Sequence, residues 1–326
     1  MSLLASGTVE GIEKPISRLV QGTELFKSWE EEAAFALLDA VYELGCTAFD
    51  TAHSYGDGAC ERILGRWLTR RGLRQRVVII TKGAHPSAER QRVTPADITS
   101  DLHDSLARLE LDCIDLYLLH RDDPSVPVEP IIEALNEHVD AGRVRAIGAS
   151  NWTHQRIQEA NAYAKRNGLV PFAAASPHFS LAEQARPPWD GCLSITGPAM
   201  ADTRRWYATT RMPVFCWATL SLGFFSGRIA RTDSREGPDS LCLRSFGTQE
   251  NFERLDRAAQ LAEKKGLTVP QIAIAYVMSH RLDVFPIIAS ASPKEFEENR
   301  DAVGVLLTPQ EAAWLNLDGD RPIDSR

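Results

Sequence analysis

The sequence predicts an α/β protein folded as a (β/α)8 TIM barrel, a single domain over residues 1–326 with long loops at the C-terminal rim. Short apolar runs alternate with longer helical patterns along the chain, which favours parallel strands joined by helices. Eight such units favour a closed barrel over an open sheet, and no linker divides the chain into two domains. The length of 326 residues suits a barrel with insertions.

The eight predicted strands are the apolar runs themselves. They lie near residues 19–22, 46–49, 77–81, 114–119, 144–149, 172–175, 214–217 and 284–288. The first helix pattern follows the first run and places Leu37, Val41 and Leu44 on one face. Ser28 and Glu31 have capping-box spacing before it, and Gly45 follows it.

Further helix patterns follow the other predicted strands. Three of them lie near residues 58–70, 128–141 and 153–167. Others are predicted to begin where Thr or Ser stands shortly before Pro, at Thr94, Thr268, Ser292 and Thr308. Residues 181–212 and 218–248 interrupt the alternation. Both stretches follow strands, so we expect them on the functional rim, where they shape a pocket or a lid.

Composition and charge narrow the class of protein. A formal net charge of -8 argues against a nucleic-acid partner. The six cysteines show no C-x-x-C spacing, which disfavours a disulfide framework or a structural zinc site. The sequence contains no run of 18 apolar residues, which argues against a membrane span, and residues 1–7 do not resemble a signal peptide. We therefore expect a cytoplasmic protein without a membrane partner.

Four polar residues lie at the ends of predicted strands or just beyond them: Asp50, Tyr55, Lys82 and His120. If the strands form one barrel, these side chains meet at one rim. A phenol, an ammonium, a carboxylate and an imidazole suit proton delivery to a carbonyl oxygen, because a nearby cation lowers the pKa of a phenol from about 10. The chain has no G-x-G-x-x-G motif, so a nicotinamide cofactor would be held in another way.

The local sequences around these residues resemble those of the aldo-keto reductase family. The resemblance is carried by FDTAHSYG at 49–56 with CERILG at 60–65, by LARL at 106–109 with DCIDLYLLH at 112–120, and by AGRVRAIGASN at 141–151. It implies that Tyr55 is the general acid, Lys82 lowers its pKa, Asp50 holds Lys82, and His120 orients the carbonyl. The implied activity is NAD(P)H-dependent reduction of aldehydes or ketones to alcohols by hydride transfer.

The resemblance also implies a set of cofactor contacts in addition to Asp50. They are Gly22 and Thr23 near the nicotinamide, Ser150 and Asn151 at its carboxamide, Trp217 against its face, Leu220, Ser221 and Gly223 near the pyrophosphate, and Ser290, Ser292, Lys294, Glu298 and Asn299 at the last cofactor helix. Two positions depart from the family pattern: Ser176 stands for a common Gln, and Glu295 for an Arg that grips the 2′-phosphate. NADP is favoured, with NAD as the alternative.

The loops suggest the substrate. Trp152, Phe224, Phe225 and Trp189 predict an apolar pocket, to which Trp29 and Phe26 contribute, and a small carbonyl compound as partner. Residues 121–123 are interpreted as a solvated loop closed by Pro124, with contact to a polar substrate as the alternative. The sequence leaves a monomer or a small homo-oligomer open.

Two other functions remain open at this point. Some barrels of this resemblance are regulatory subunits that bind cofactor with little turnover. A metal-dependent hydrolase would use Asp50, His53, His120 and Asp122 as ligands, although the Lys82 ammonium would compete with a metal cation.

Overall fold

The computed structural model describes residues 4–233, 236–237 and 239–319. Residues 1–3 belong to the segment that is not expected to be a signal peptide, and they lie outside this range. Eight parallel strands form a closed barrel, as predicted. They are β3 (Val20–Gly22), β4 (Ala48–Asp50), β5 (Val78–Gly83), β6 (Ile114–Leu119), β7 (Val144–Ser150), β8 (Ala174–Ser176), β9 (Val214–Cys216) and β10 (Val284–Ile288). Pairing of β10 with β3 at Ile287 and Val20 closes the barrel.

Eleven α-helices lie in the described part of the chain. They are α1 (Glu31–Glu43), α2 (Ala59–Arg71), α3 (Pro95–Leu109), α4 (Val128–Asp140), α5 (His154–Arg166), α6 (Ala201–Thr210), α7 (Ser240–Phe246), α8 (Gln249–Lys265), α9 (Val269–Met278), α10 (Pro293–Asp301) and α11 (Pro309–Leu315). Their apolar faces and the outward-facing strand residues form one large core cluster. None of these helices has the length and apolar composition that a membrane span requires.

The helix starts follow the sequence signals in four cases and not in a fifth. Thr94, Thr268, Ser292 and Thr308 each accept a hydrogen bond from a backbone N–H in the first turn of their helix. The capping box predicted at Ser28 and Glu31 is wrong. Ser28 ends a short 3₁₀ helix, and the extended backbone of Trp29 separates that helix from α1.

A β-hairpin precedes the barrel and was not predicted. Its antiparallel strands, β1 (Ser6–Val9) and β2 (Ile12–Ser17), close the N-terminal end of the barrel. Val9, Ile12 and Ile16 pack with the side chains that fill the barrel interior. The opposite end of the barrel is therefore the only open end among the described residues, and it carries the polar strand ends.

We expect the hairpin to be part of the folding core. Ile16 is fully buried, so Ile16→Ala should lower the free energy of unfolding by about 2–5 kcal/mol, measured by chemical denaturation. Leu306→Ala is the matched control because Leu306 is 79% exposed, and it should change stability by less than about 0.5 kcal/mol. Equal effects of the two substitutions would contradict the proposed packing.

Candidate active site

A cavity of about 540 Å³ opens at the C-terminal ends of the strands. This volume is in the range of small-molecule sites, about 300–1,000 Å³. The strand ends of β3 to β5, β7 and β10 supply part of its wall, and the segments that follow the strands supply the rest, including the loops after β8 and β9. The two stretches predicted to shape a pocket contribute Trp189 and Cys192 in one case, and Leu220 and Arg228 in the other.

A buried ion pair forms the floor of the cavity. Lys82 Nζ lies 2.7 Å from each carboxylate oxygen of Asp50 and donates a hydrogen bond to the Thr51 carbonyl oxygen at 2.9 Å. The two charged side chains are 2% and 4% exposed. Because both partners are out of water, the loss of either would leave an uncompensated buried charge. The ammonium is therefore held in one position.

Tyr55 and His120 lie next to this pair, so the four predicted side chains do converge. Lys82 Nζ donates to the Tyr55 hydroxyl oxygen at 3.4 Å and lies 5.0 Å from the centre of the phenol ring. The rings of Tyr55 and His120 meet edge to face, with their centres 5.8 Å apart. Tyr55 begins a short turn in which Gly56 and Asp57 have positive φ, so the chain reverses sharply just after it.

The pKa of Tyr55 moves in the direction opposite to the sequence prediction. Burial raises it well above its ordinary value, and the carboxylates of Asp50 and Glu24 raise it further. The net shift is upward, so the lowering expected from Lys82 does not prevail, and the effect of Lys82 on this pKa stays a prediction. Asp50 balances the ammonium at 2.7 Å, which is shorter than the 3.4 Å between the ammonium and the phenol oxygen. Tyr55 is thus held as a protonated phenol.

His120 is held as a neutral imidazole. Burial lowers its pKa well below the ordinary value, and the cations Lys82 and Arg121 lower it further. Its ring meets that of His85 edge to face at 4.9 Å. His85 also lines the cavity and was missed by sequence reasoning, although it follows β5 closely, as His120 follows β6. This position just after a strand is the sequence signal that could have identified His85 as a site residue.

About half of the predicted cofactor residues line the cavity. They are Gly22, Asp50, Ser150, Asn151, Trp217, Leu220 and Gly223. The side-chain amide of Asn151 is already saturated: it donates to the His120 carbonyl and to Ser150 Oγ, and it accepts from Trp217 Nε1 and the Leu193 amide. Contact of Asn151 with a carboxamide would require one of these bonds to be exchanged, so this role stays a prediction.

The other predicted cofactor residues lie outside the cavity lining. Thr23 and Ser176 are buried, and their hydroxyls donate to the carbonyl oxygens of Asp50 and Phe215. Ser221 is buried as well and donates to Ser180 Oγ. The last group lies on or just before α10: Ser290, Ser292, Lys294, Glu298 and Asn299. From this end of α10 it is Glu295, the departure from the family pattern, that reaches the cavity.

Most of the aromatic residues predicted for the substrate pocket belong to the core. Trp152, Phe224 and Phe225 are almost completely buried and do not line the cavity, which corrects the prediction. Trp29 packs on buried Phe26 and also lies outside the lining. These side chains point back into the packing between the rim loops and the helices. Trp189 does line the cavity, together with Trp217 at a ring distance of 6.2 Å.

The ligand set considered for a metal-dependent hydrolase does not assemble. His53 pairs with Asp104 at 3.2 Å, and Asp122 pairs with Arg156 at 3.4 Å. Within residues 4–233, 236–237 and 239–319, no three His, Cys, Asp or Glu side chains are arranged to hold a metal ion. The geometry gives this alternative no support.

The cavity has features that fit a nicotinamide dinucleotide. Trp217 presents an aromatic ring to it, and Ser290, which follows the lining residue Ala289, has a buried hydroxyl without a hydrogen-bond partner. In the loop after β9, Ala218, Ser221 and Leu222 all have positive φ. Such backbone strain in residues other than glycine is typical of ligand-binding turns. The residues present are thus compatible with the cofactor.

Comparison with known proteins places the chain in a known family. The sequence model of the aldo/keto reductase family matches residues 18–316. The chain belongs to this family. Among curated aldo/keto reductases, it is 31% identical to aldo-keto reductase str7 of Strobilurus tenacellus over 305 residues, which is 89% of this chain and 84% of that protein. It is 30% identical to the NADP(+) aldo-keto reductase yakc of Schizosaccharomyces pombe over 287 residues, 85% of this chain and 80% of yakc.

Solved aldo/keto reductase structures share the fold. The glycerol dehydrogenase AKR11B4 from Gluconobacter oxydans superimposes with a TM-score of 0.78 at 22% identity, covering 98% of each chain. An aldo-keto reductase from Klebsiella pneumoniae in complex with NADPH gives a TM-score of 0.71 at 24% identity, with 96% of this chain and 95% of that chain covered. At these identities the likeness establishes the (β/α)8 barrel.

The raised pKa of Tyr55 predicts its titration behaviour. We expect Tyr55 to remain protonated at pH about 10, where an ordinary tyrosine is half ionised, so phenolate absorbance there should be nearly the same in the native protein and in Tyr55→Phe. Because the unfolded chain loses this proton first, stability should fall more steeply above pH about 10 in the native protein than in Tyr55→Phe. A full tyrosine difference already present at pH about 9 would contradict the assignment.

Proposed function

We propose that this protein is an NADPH-dependent reductase of aldehydes or ketones, with Tyr55 as general acid; the reverse reaction oxidises an alcohol. The observation that carries the proposal is the Tyr55 hydroxyl, kept protonated at the wall of the cavity and 3.4 Å from the fixed Lys82 ammonium. A phenol in this state is ready to donate its proton to a carbonyl oxygen. The neutral His120 imidazole supplies a second donor that orients the same oxygen.

The proton movement follows from the charges around Tyr55. When bound, the nicotinamide supplies a hydride to the carbonyl carbon. The C–H bond forms as the carbonyl π electrons move to oxygen, and the oxygen takes the Tyr55 proton to become a hydroxyl. The phenolate that remains is negative and attracts the Lys82 ammonium more strongly than the phenol does. Lys82 therefore stabilises the product of proton transfer more than the starting state, which is the condition for a catalytic contribution.

The residues that would hold the cofactor surround the other half of the cavity. Trp217 would cover one face of the nicotinamide, with Ser150 and Gly22 beside it, and the strained turn after β9 would approach the pyrophosphate. Preference for NADP is supported by the NADP(+) of yakc and the NADPH of the Klebsiella pneumoniae structure. Glu295 argues in the other direction, because a carboxylate repels a 2′-phosphate.

We also propose a cytoplasmic location, since the six cysteines form no disulfide in this fold, which suits a reducing compartment. A monomer or a small homo-oligomer is the proposed state.

Tyr55→Phe tests the general acid. We expect kcat for an aldehyde to fall by about 10²–10⁴-fold, while the Kd for NADPH, followed by quenching of tryptophan fluorescence, stays within about threefold. Tyr207→Phe is the control, since Tyr207 is also a buried tyrosine but lies outside the cavity.

The same assay separates the reductase from a regulatory subunit. Near-native turnover by Tyr55→Phe would refute the role of Tyr55. If the native protein binds NADPH but no aldehyde oxidises it even in a single turnover, the regulatory function would replace the reductase.

Glu295→Arg tests the source of cofactor preference. Replacing a carboxylate at the cavity wall by a guanidinium should raise the ratio of kcat/KM for NADPH to that for NADH by about tenfold. Glu297→Arg is the control. It makes the same charge change two residues further along α10, at a side chain that is 54% exposed and outside the cavity lining. Equal shifts in both variants would show that Glu295 does not face the adenosine end of the cofactor.

A further inference from the structure

Arg121 departs most clearly from its predicted environment. The sequence predicts a solvated loop over residues 121–123, yet Arg121 is only 5% exposed and lines the cavity directly after His120. The solvated-loop interpretation is therefore wrong for this residue. The two neighbours do face outward in part, and Asp122 is committed to Arg156 at 3.4 Å.

The guanidinium of Arg121 is buried without an acidic partner. Its Nε donates to the Asp190 carbonyl oxygen at 3.1 Å, and its Nη1 donates to the His120 carbonyl oxygen at 2.9 Å. Nη2 has no hydrogen-bond acceptor, and no carboxylate lies within ion-pair distance, among the residues that the structure describes. Five N–H donors are available on a guanidinium, so three remain for a ligand.

Other cations at the cavity are already neutralised. Asp50 pairs with Lys82 at 2.7 Å, and Asp239 pairs with Arg228 at 3.2 Å. A buried charge without a counter-ion is costly and is rarely kept for packing alone. Arg121 is also held firmly, because Trp152 Nε1 donates to its carbonyl oxygen at 3.0 Å and its side chain ties the loop at Asp190 to the rim.

The position of Arg121 is on the side of the cavity where the chemistry takes place. It follows β6, the neighbour of β5, which carries Lys82; Asp50 ends β4 on the far side of β5. The α10 end of the site follows β10, halfway round the barrel from β6. Arg228, beside the turn at Gly223, is the cation at the place expected for the pyrophosphate. An anion bound by Arg121 would thus belong to the substrate rather than to the dinucleotide.

We propose that Arg121 binds a carboxylate group of the substrate, so that the preferred substrates are aldehydes or ketones that carry a carboxylate. This inference rests on the proposed reductase function and adds a substrate class to it. The guanidinium fork matches the two oxygens of a carboxylate. Trp189, next to the Asp190 carbonyl that Arg121 contacts, supplies an aromatic wall for the part of the substrate between the carboxylate and the carbonyl.

The test compares one aldehyde acid with its neutral ester, terephthalaldehydic acid and its methyl ester. In the native protein, kcat/KM with NADPH should be larger for the acid. In Arg121→Gln the acid-to-ester ratio should fall by about 10- to 100-fold, the range expected for loss of a charge-assisted hydrogen bond. Arg121→Lys keeps the charge and should restore part of the ratio. Arg156→Gln, at an arginine outside the lining, should leave the ratio unchanged.

The affinity for a carboxylate ligand gives a second measurement, which does not depend on turnover. With NADP bound, benzoate should quench tryptophan fluorescence, and its Kd should rise by about tenfold or more in Arg121→Gln, whereas benzamide should show no such difference. Circular dichroism and thermal melting identify any variant that fails to fold, in which case Arg121→Lys against the native protein decides the comparison.

The outcomes separate this inference from the proposed function. An acid-to-ester ratio that is the same in the native protein and Arg121→Gln, with ester reduction dependent on Tyr55, would overturn the role of Arg121 and leave the reductase standing. Absence of any reduction, with benzoate binding still dependent on Arg121, would overturn the reductase and leave an anion site. Loss of both would overturn both.

Discussion

The buried pair of Lys82 and Asp50 sets the electrostatics of the whole site. Asp50 ends β4 and Lys82 lies near the end of β5, and the two strands are neighbours in a closed parallel barrel. The barrel cannot open at this edge, so the pair is held without a flexible element. Because Asp50 lies 2.7 Å from the ammonium, the positive charge is balanced in the resting site. A fixed cation is then present without forcing its neighbours to ionise.

This balance explains why both proton donors remain in their uncharged forms. Burial keeps Tyr55 protonated, and the same burial, assisted by Lys82, keeps His120 neutral. The Asp50 carboxylate also raises the pKa of Tyr55, so the partner that balances the ammonium opposes ionisation of the phenol before substrate binds. The attraction between Lys82 and Tyr55 becomes strong only when proton transfer produces a phenolate. Lys82 therefore stabilises the state after proton transfer more than the state before it.

The sequence predicts the barrel and the four central residues because both depend on local order along the chain. Parallel barrel strands are buried on both faces and therefore appear as apolar runs, and residues at the ends of such runs reach one rim. The hairpin was missed because its second strand contains Pro15 and its turn depends on Gly11, neither of which is typical of a strand pattern. Side-chain direction was not predictable for Trp152 or Phe224, since their neighbours in the fold are distant in the sequence.

Charges in the rim loops were the hardest to predict, and they give the cavity its polarity. Residues Arg121, Asp122 and Asp123 look like a solvated stretch in sequence, but the chain turns Arg121 inward and leaves it without a counter-ion among the described residues, while Asp122 turns to Arg156. Glu295 lies across the barrel mouth, also without an ion pair in the described part of the chain, and accepts a hydrogen bond from the Ala291 amide.

With the other cavity cations paired, one unbalanced positive charge remains beside the catalytic groups and one unbalanced negative charge remains at α10. A ligand that spans the cavity therefore meets a field directed from the β6 side to the β10 side. Its orientation is set by charge as well as by shape, which neither residue alone could achieve.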